Sequence, residues 1–99
     1  MTATAEPAPV AASPPSSTQT EEAVGTLRCQ IDALDAAIGR LIAERAQLSR
    51  RVQAVRAEAG GTRVVLSRER AIHERYRAVL GAAGSAVAEA VLRVCRGSR

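Results

Sequence analysis

Apolar residues recur through the first half of the chain at Leu27, Ile31, Leu34, Ile38, Leu41, Ile42, Leu48, Val52 and Val55. The steps between them are mostly three or four residues, which is one stripe on an α-helix. Between Glu22 and Glu58 there is no proline. After Gly25 the only glycine in that span is Gly39, an interruption costing roughly 1 kcal/mol relative to alanine. The pattern predicts one long helix over about 22–58. At 1.5 Å per residue it would span about 55 Å, whereas a small domain is ~30 Å across. The 41 residues after Glu58 cannot cover a stripe of that length, which implies that a second copy of the chain does.

The remaining elements follow from breaks and caps. Residues 1–20 are mostly Ala, Pro, Ser and Thr, with little to bury, and read as a disordered tail ahead of a helical domain at 21–99. Thr18 and Glu21 have the spacing of a capping box, and Gly60-Gly61 is a C-terminal stop. A short extended link is expected over 62–66. Ser67 suits the N-cap of a second helix, Arg68 to Leu80, with Ile72, Tyr76, Val79 and Leu80 on its inner side. A break at 81–84 precedes a third helix, Ala86 to Arg96, with Ser85 as its cap. The expected fold is all-α: one very long N-terminal helix plus two short ones.

Composition narrows what such a fold can do. There is no Trp or Phe and only one Tyr, which leaves an aliphatic core and counts against both a β-sheet and a base-stacking platform. All 14 basic residues are Arg, and residues 26–99 set them against 7 acids. Arg presents a planar fork that matches carboxylate or phosphate and keeps its charge when buried, so a pocket or surface for anions is implied. An Arg-rich genome would equally explain the missing Lys, but not where each Arg sits. Cys29 and Cys95 form no metal-binding spacing. With no cationic apolar leader and no apolar run approaching membrane length, a soluble cytoplasmic protein with free thiols is expected.

Placement of the arginines is more informative. Arg45 and Arg56 are three helical turns apart and point the same way to within about 20°. Arg28 precedes Arg45 by about 25 Å along the axis and lies about 100° round it, so the two cannot share a small pocket on one straight helix. In a twofold dimer with antiparallel long helices, Arg28 of one chain could meet Arg45 and Arg56 of the other. On spacing alone, solvated surface charge, the usual fate of helical Arg, is the favoured account. Arg68 and Glu69 fall in the first turn of the second helix, where free backbone N–H groups favour an anion. There, too, Glu69 could simply complement the helix dipole. His73 has neither a nearby nucleophile in sequence nor a second histidine, which argues against a triad or metal site.

Taken together, Leu27-Arg28, the run Ile31-Asp32-Ala33-Leu34-Asp35, the run Leu41-Ile42-Ala43-Glu44-Arg45, Arg56, Arg68-Glu69-Arg70 and Glu74-Arg75-Tyr76 resemble the all-helical chorismate mutases. The glycine-rich segment before Val65 and the abrupt C-terminus look most like the short intracellular subclass, whose members are activated by complex formation with DAHP synthase. The resemblance implies an intertwined homodimer and the rearrangement of chorismate to prephenate, in the route to Phe and Tyr, with no metal and no cofactor. It also assigns roles. Arg28 from the partner chain and Arg45 bind carboxylates, and Arg56 contacts the ether oxygen and a carboxylate. Glu69 holds the ring hydroxyl, while Arg68 supports the carboxylate end. Arg45, Arg56 and Glu69 are the expected catalytic residues; Arg28, Val65 and Arg68 complete the substrate-binding set.

Two departures from the family pattern stand out. Val65 replaces a frequent Asp, and the chain after Val91 contains no Gln to donate to the ether oxygen. Losing one preorganised donor costs about 10²–10³ in rate, so weak activity alone is expected, with a partner reshaping the C-terminal tail and the 60–66 loop. The rival expectations are an isochorismate pyruvate lyase on the same fold, a basic helical dimer binding nucleic acid through phosphates, and a catalytically inert scaffold that signals to a synthase. The first choice leaves nucleic acid and membrane out of the partners.

Overall fold

The computed structural model describes residues 16–61 and 65–97. Helix α1 spans Ser17–Glu58, α2 spans Leu66–Leu80, a 3₁₀ turn covers Gly81–Ala83, and α3 spans Gly84–Arg96. The all-α class and the order of one long helix and two short ones are as the periodicity predicts. Residues 1–15 of the expected tail, 62–64 of the expected link and the last two residues lie outside the described residues.

Helix α1 starts five residues earlier than expected, and its capping box is not Thr18 with Glu21. The Gln19 N–H donates to Ser16 Oγ at 3.1 Å, and the Ser16 N–H donates to Gln19 Oε1 at 3.0 Å. This reciprocal pair satisfies two donors that the first turn leaves open, and glutamine serves the third position as well as glutamate does. Residues 17–20 therefore belong to the helix rather than to the tail. At the other end Gly60 takes φ +76°, a conformation that only glycine adopts at no cost. Its N–H donates to the Ala57 carbonyl at 3.1 Å, and the Gly61 N–H donates to the Arg56 carbonyl at 2.8 Å. This Schellman closure ends α1 at Glu58, two residues after Arg56.

The described residues divide into two compact units, one up to Leu34 and the other from Asp35 onward. In the first, Leu27, Ile31 and Leu34 of α1 are all exposed. In the second, α2 and α3 form an antiparallel helical hairpin: Glu69 is paired with Arg96, His73 with Glu89, and Tyr76 lies against Gly84. Gly84 makes the close approach possible, since a Cβ there would sit 2.4 Å from the Tyr76 carbonyl oxygen. The core consists of two small clusters. Ile72 of α2 packs with Ala88 and Leu92 of α3, and Ala46 of α1 packs with Val91 and Cys95. Tyr76, the only aromatic residue, packs against both.

Neither short helix uses its expected cap. Val65, extended at φ −118° and ψ 104°, precedes α2, so Ser67 falls inside the helix. Ala83 precedes α3, and Ser85 turns its hydroxyl to His73 Nδ1 at 2.7 Å. Val79 and Leu80 are not on an inner face either: Val79 is 82% exposed. Because Gly84 already lies against Tyr76, the last turn of α2 runs past the start of α3, where none of the described residues covers it.

By length and composition alone, Leu66–Arg96 is apolar enough to cross a membrane, contrary to the expectation of no such run. It is not one rod. The chain reverses at Gly81–Ala83, and its two halves pack on each other.

Candidate active site

A cleft of about 230 Å³ opens between α1, α2 and the last turn of α3, wholly within residues 35–99. Helix α1 lines it with Arg45, Gln53 and Arg56. Residues 45, 49, 52, 53 and 56 recur on one side of a 3.6-residue helix, and the Schellman closure fixes the carbonyl of Arg56 itself. Val65 and the first turn of α2 contribute a second wall with Arg68 and Glu69. Five of the six expected site residues, Arg45, Arg56, Val65, Arg68 and Glu69, thus meet around one concavity. Arg28, in the first unit, is exposed and does not line it.

Among the lining residues that sequence reasoning did not assign to the cleft are Cys95 and Arg96, from the end of α3. Arg45 Nη1 donates to the Cys95 sulfur at 3.0 Å. Cys95 is buried and Cys29 exposed, and both are free thiols. Arg96 Nη2 donates to Glu69 Oε1 at 2.6 Å, and Arg96 Nη1 lies 3.5 Å from Glu89 Oε1. The Glu69 hydrogen bond, opposed by burial and reinforced by the Glu69 charge and then by Glu89, raises the Arg96 pKa above the ordinary arginine value. No spacing rule announces these contacts, because they join residues 50 and 27 positions apart. The one available signal was an Arg in the last turn of a helix.

Behind the cleft the polar chain continues. His73 Nε2 lies 3.3 Å from Glu89 Oε2. If Nε2 donates to the carboxylate, Nδ1 of a neutral ring accepts from the Ser85 hydroxyl. Burial raises the Glu89 pKa, but hydrogen bonds and charge from Arg96 and then His73 outweigh it, and the net shift is downward. His73 does therefore have a hydroxyl beside it, contrary to the sequence expectation. The Ser85, His73 and Glu89 side chains bridge α2 and α3 away from the cleft: none of the three lines it. Among the described residues no group of three or more His, Cys, Asp or Glu is gathered that could hold a metal ion.

At about 230 Å³ the cleft is somewhat smaller than an ordinary ligand pocket, roughly 300 Å³ and upward, which suits only a small ligand. It offers fixed positive charge from several directions and one carboxylate, and among the described residues neither Ser49 nor Cys95 is hydrogen-bonded to a general base. Such a site can orient a small polyanion and stabilise charge as it shifts. The fold and cleft thus define a small all-helical protein with an arginine-lined cleft. The family model for chorismate mutase type II matches residues 27–96, and the chain belongs to that family. The intracellular chorismate mutase of Mycobacterium tuberculosis is 45% identical over 74 residues, which are 75% of this chain and 70% of that protein. That of Mycolicibacterium smegmatis is 42% identical over 74 residues, 75% of this chain and 71% of its own length. Among solved structures, a chain from the non-covalent complex of DAHP synthase and chorismate mutase of Corynebacterium glutamicum, with a bound transition-state analogue, matches at TM-score 0.76 and 32% identity. The match covers 82% of this chain and 98% of that one. The protein is a chorismate mutase, an isomerase of aromatic amino-acid biosynthesis.

Proposed function

We propose that chorismate binds in the cleft lined by Arg45, Arg56, Arg68 and Glu69 and rearranges there to prephenate. The observation that carries this reading is the convergence of those four side chains, from two helices, on one concavity. The reaction is unimolecular and needs no group from the protein to bond to the substrate. What it needs is a flexible dicarboxylate held in its compact conformer and donors aimed at the breaking C–O bond. Arg45 takes a carboxylate. Arg56, on the same side of α1, reaches the ether oxygen and a carboxylate. Glu69 accepts from the ring hydroxyl, and Arg68 supports the carboxylate end. Val65 contributes contact but no hydrogen bond.

A second copy of the chain completes the site. Leu27, Ile31 and Leu34 in one unit, and Ile38, Leu41, Leu48, Val52 and Val55 in the other, are each 51–66% exposed. A run of large apolar side chains left in water marks an association surface, and a homodimer seated on it supplies Arg28 of the partner subunit to the cleft. The protein acts in the cytoplasm, as relatives named intracellular chorismate mutases suggest. Its macromolecular partner is a DAHP synthase, in line with the corynebacterial complex. Binding of that partner reshapes the end of the chain and improves the placement of Arg45 and Glu69.

The test is chorismate disappearance with purified protein, with and without the DAHP synthase of the same cell, and with isochorismate offered in parallel. Prephenate formation that rises with synthase is expected. Pyruvate release from isochorismate without prephenate formation would replace the mutase with a lyase, and turnover unmoved by saturating synthase would remove the partner.

A further inference from the structure

Two contacts at the end of α3 reach the cleft from the same turn. Cys95 accepts the Arg45 hydrogen bond at 3.0 Å, and the next residue, Arg96, grips Glu69 at 2.6 Å. Arg45 and Glu69 belong to different helices, 24 residues apart, and neither makes another side-chain hydrogen bond or ion pair among the described residues. Both side chains are long and have several rotatable bonds, so without a partner each would sample many rotamers. We infer that Cys95 and Arg96 are positioning residues for catalysis, the first aiming the Arg45 guanidinium and the second the Glu69 carboxylate. This rests on the reading of the cleft as the chorismate site.

The chemistry of each contact suits that role. The Cys95 sulfur is buried against Ala46 and Val91, so the acceptor that Arg45 meets is held in the core rather than on a mobile side chain. A thiol is a weak acceptor: it orients the guanidinium without neutralising it, and the charge stays available for a carboxylate. Arg96 engages Oε1 of Glu69, which leaves Oε2 for a substrate hydroxyl. Glu89 lies behind Arg96, at 3.5 Å from Nη1, and His73 lies behind Glu89 at 3.3 Å. The guanidinium that holds Glu69 is thus itself held from α3 and, through Glu89, from α2. Because the two contacts come from adjacent residues, a shift of this one turn would disturb Arg45 and Glu69 together.

Paired variants separate positioning from packing, because the two roles rank them in opposite orders. Cys95→Val fills the buried space with an apolar group but offers Arg45 no acceptor. Cys95→Ser keeps an acceptor and places a hydroxyl in an apolar cluster. We expect Cys95→Val to match or exceed Cys95→Ser in Tm, yet to lose about tenfold in kcat/KM, the size of one hydrogen bond to a charged group. Cys95→Ser should stay within about threefold of wild type by the same reckoning. Arg96→Gln should lose about tenfold in kcat/KM and Arg96→Lys should recover part of it, since the lysine keeps the charge that holds Glu69. All are assayed on chorismate with the DAHP synthase present, beside wild type. A valine variant at least as active as the serine variant, or Gln and Lys variants alike at position 96, overturns the inference while leaving the chorismate site in place. A wild-type protein that does not rearrange chorismate overturns the site assignment and this inference with it.

Discussion

Arg96 Nη2 lies 2.6 Å from Glu69 Oε1, joining the last turn of α3 to the first turn of α2 across the two ends of an antiparallel hairpin. Glu69 belongs to the cleft and Glu89, on the far side of Arg96, to the bridge that binds the hairpin together. The geometry of the site and the stability of the hairpin therefore share one guanidinium, and the expectations below separate the two.

Arg45→Ala and Arg56→Ala should each lower kcat/KM by about 10²–10³, the cost of removing one preorganised donor to a developing charge. Sedimentation should report an unchanged dimer. If both variants keep more than a tenth of wild-type kcat/KM, neither arginine belongs to the site.

Arg28→Ala and Arg45→Ala chains, each strongly impaired alone, should complement when mixed. A mixed dimer has one site that draws Arg45 from the first variant and Arg28 from the second, both intact, and one site lacking both. Activity per mixed dimer should reach about half that of wild type, one of two equivalent sites in a closed twofold assembly. Confirmed mixed dimers without activity would count against a site shared between subunits.

The lowered Glu89 pKa fixes the sign of an acid effect. A carboxylate that binds its proton less tightly when folded contributes stability above the unfolded value, about 4.5, and loses it as pH falls through the depressed folded value. The resistance of the wild type to chemical denaturation should weaken in that acid range. Glu89→Gln should flatten this part of the profile, so that the difference between the two proteins shrinks toward low pH. A constant difference from pH 7 to pH 3 would leave the Arg96 and His73 contacts without an ionic contribution.

Gly84→Ala should destabilise the fold by about 1–3 kcal/mol, the usual cost of forcing a methyl into an occupied space. The obstacle is the Tyr76 carbonyl at 2.4 Å and the neighbouring backbone, which cannot swing aside as a side chain can. Urea midpoints read this directly. An unchanged midpoint would mean that α3 can back away from α2 freely.

How much of this was legible in advance depended on how local the cause was. The stripe from Leu27 to Val55, the stop at Gly60 and the shared direction of Arg45 and Arg56 all follow from helical period or from one backbone conformation. Ser16 with Gln19 and Thr18 with Glu21 fit the same short capping pattern, and only the hydrogen bonds distinguish the two pairs. Val79 keeps the helical register of Ile72 yet is exposed, because exposure depends on where the neighbouring helix begins.

The sequence by itself determined the three helices, the excess of arginine and the presence of Arg45, Arg56, Arg68 and Glu69 near helix faces or ends, since these depend on residues within a few turns of one another. Only the tertiary structure decided that four of those side chains open on one cleft, and that Cys95 and Arg96 hold two of them. Those pairings are set by the register of α3 against α1 and α2. That register comes from the close seat of Gly84 on Tyr76 and the packing of Ala46, Ile72, Ala88 and Val91, a sum of contacts between distant residues that no local pattern encodes.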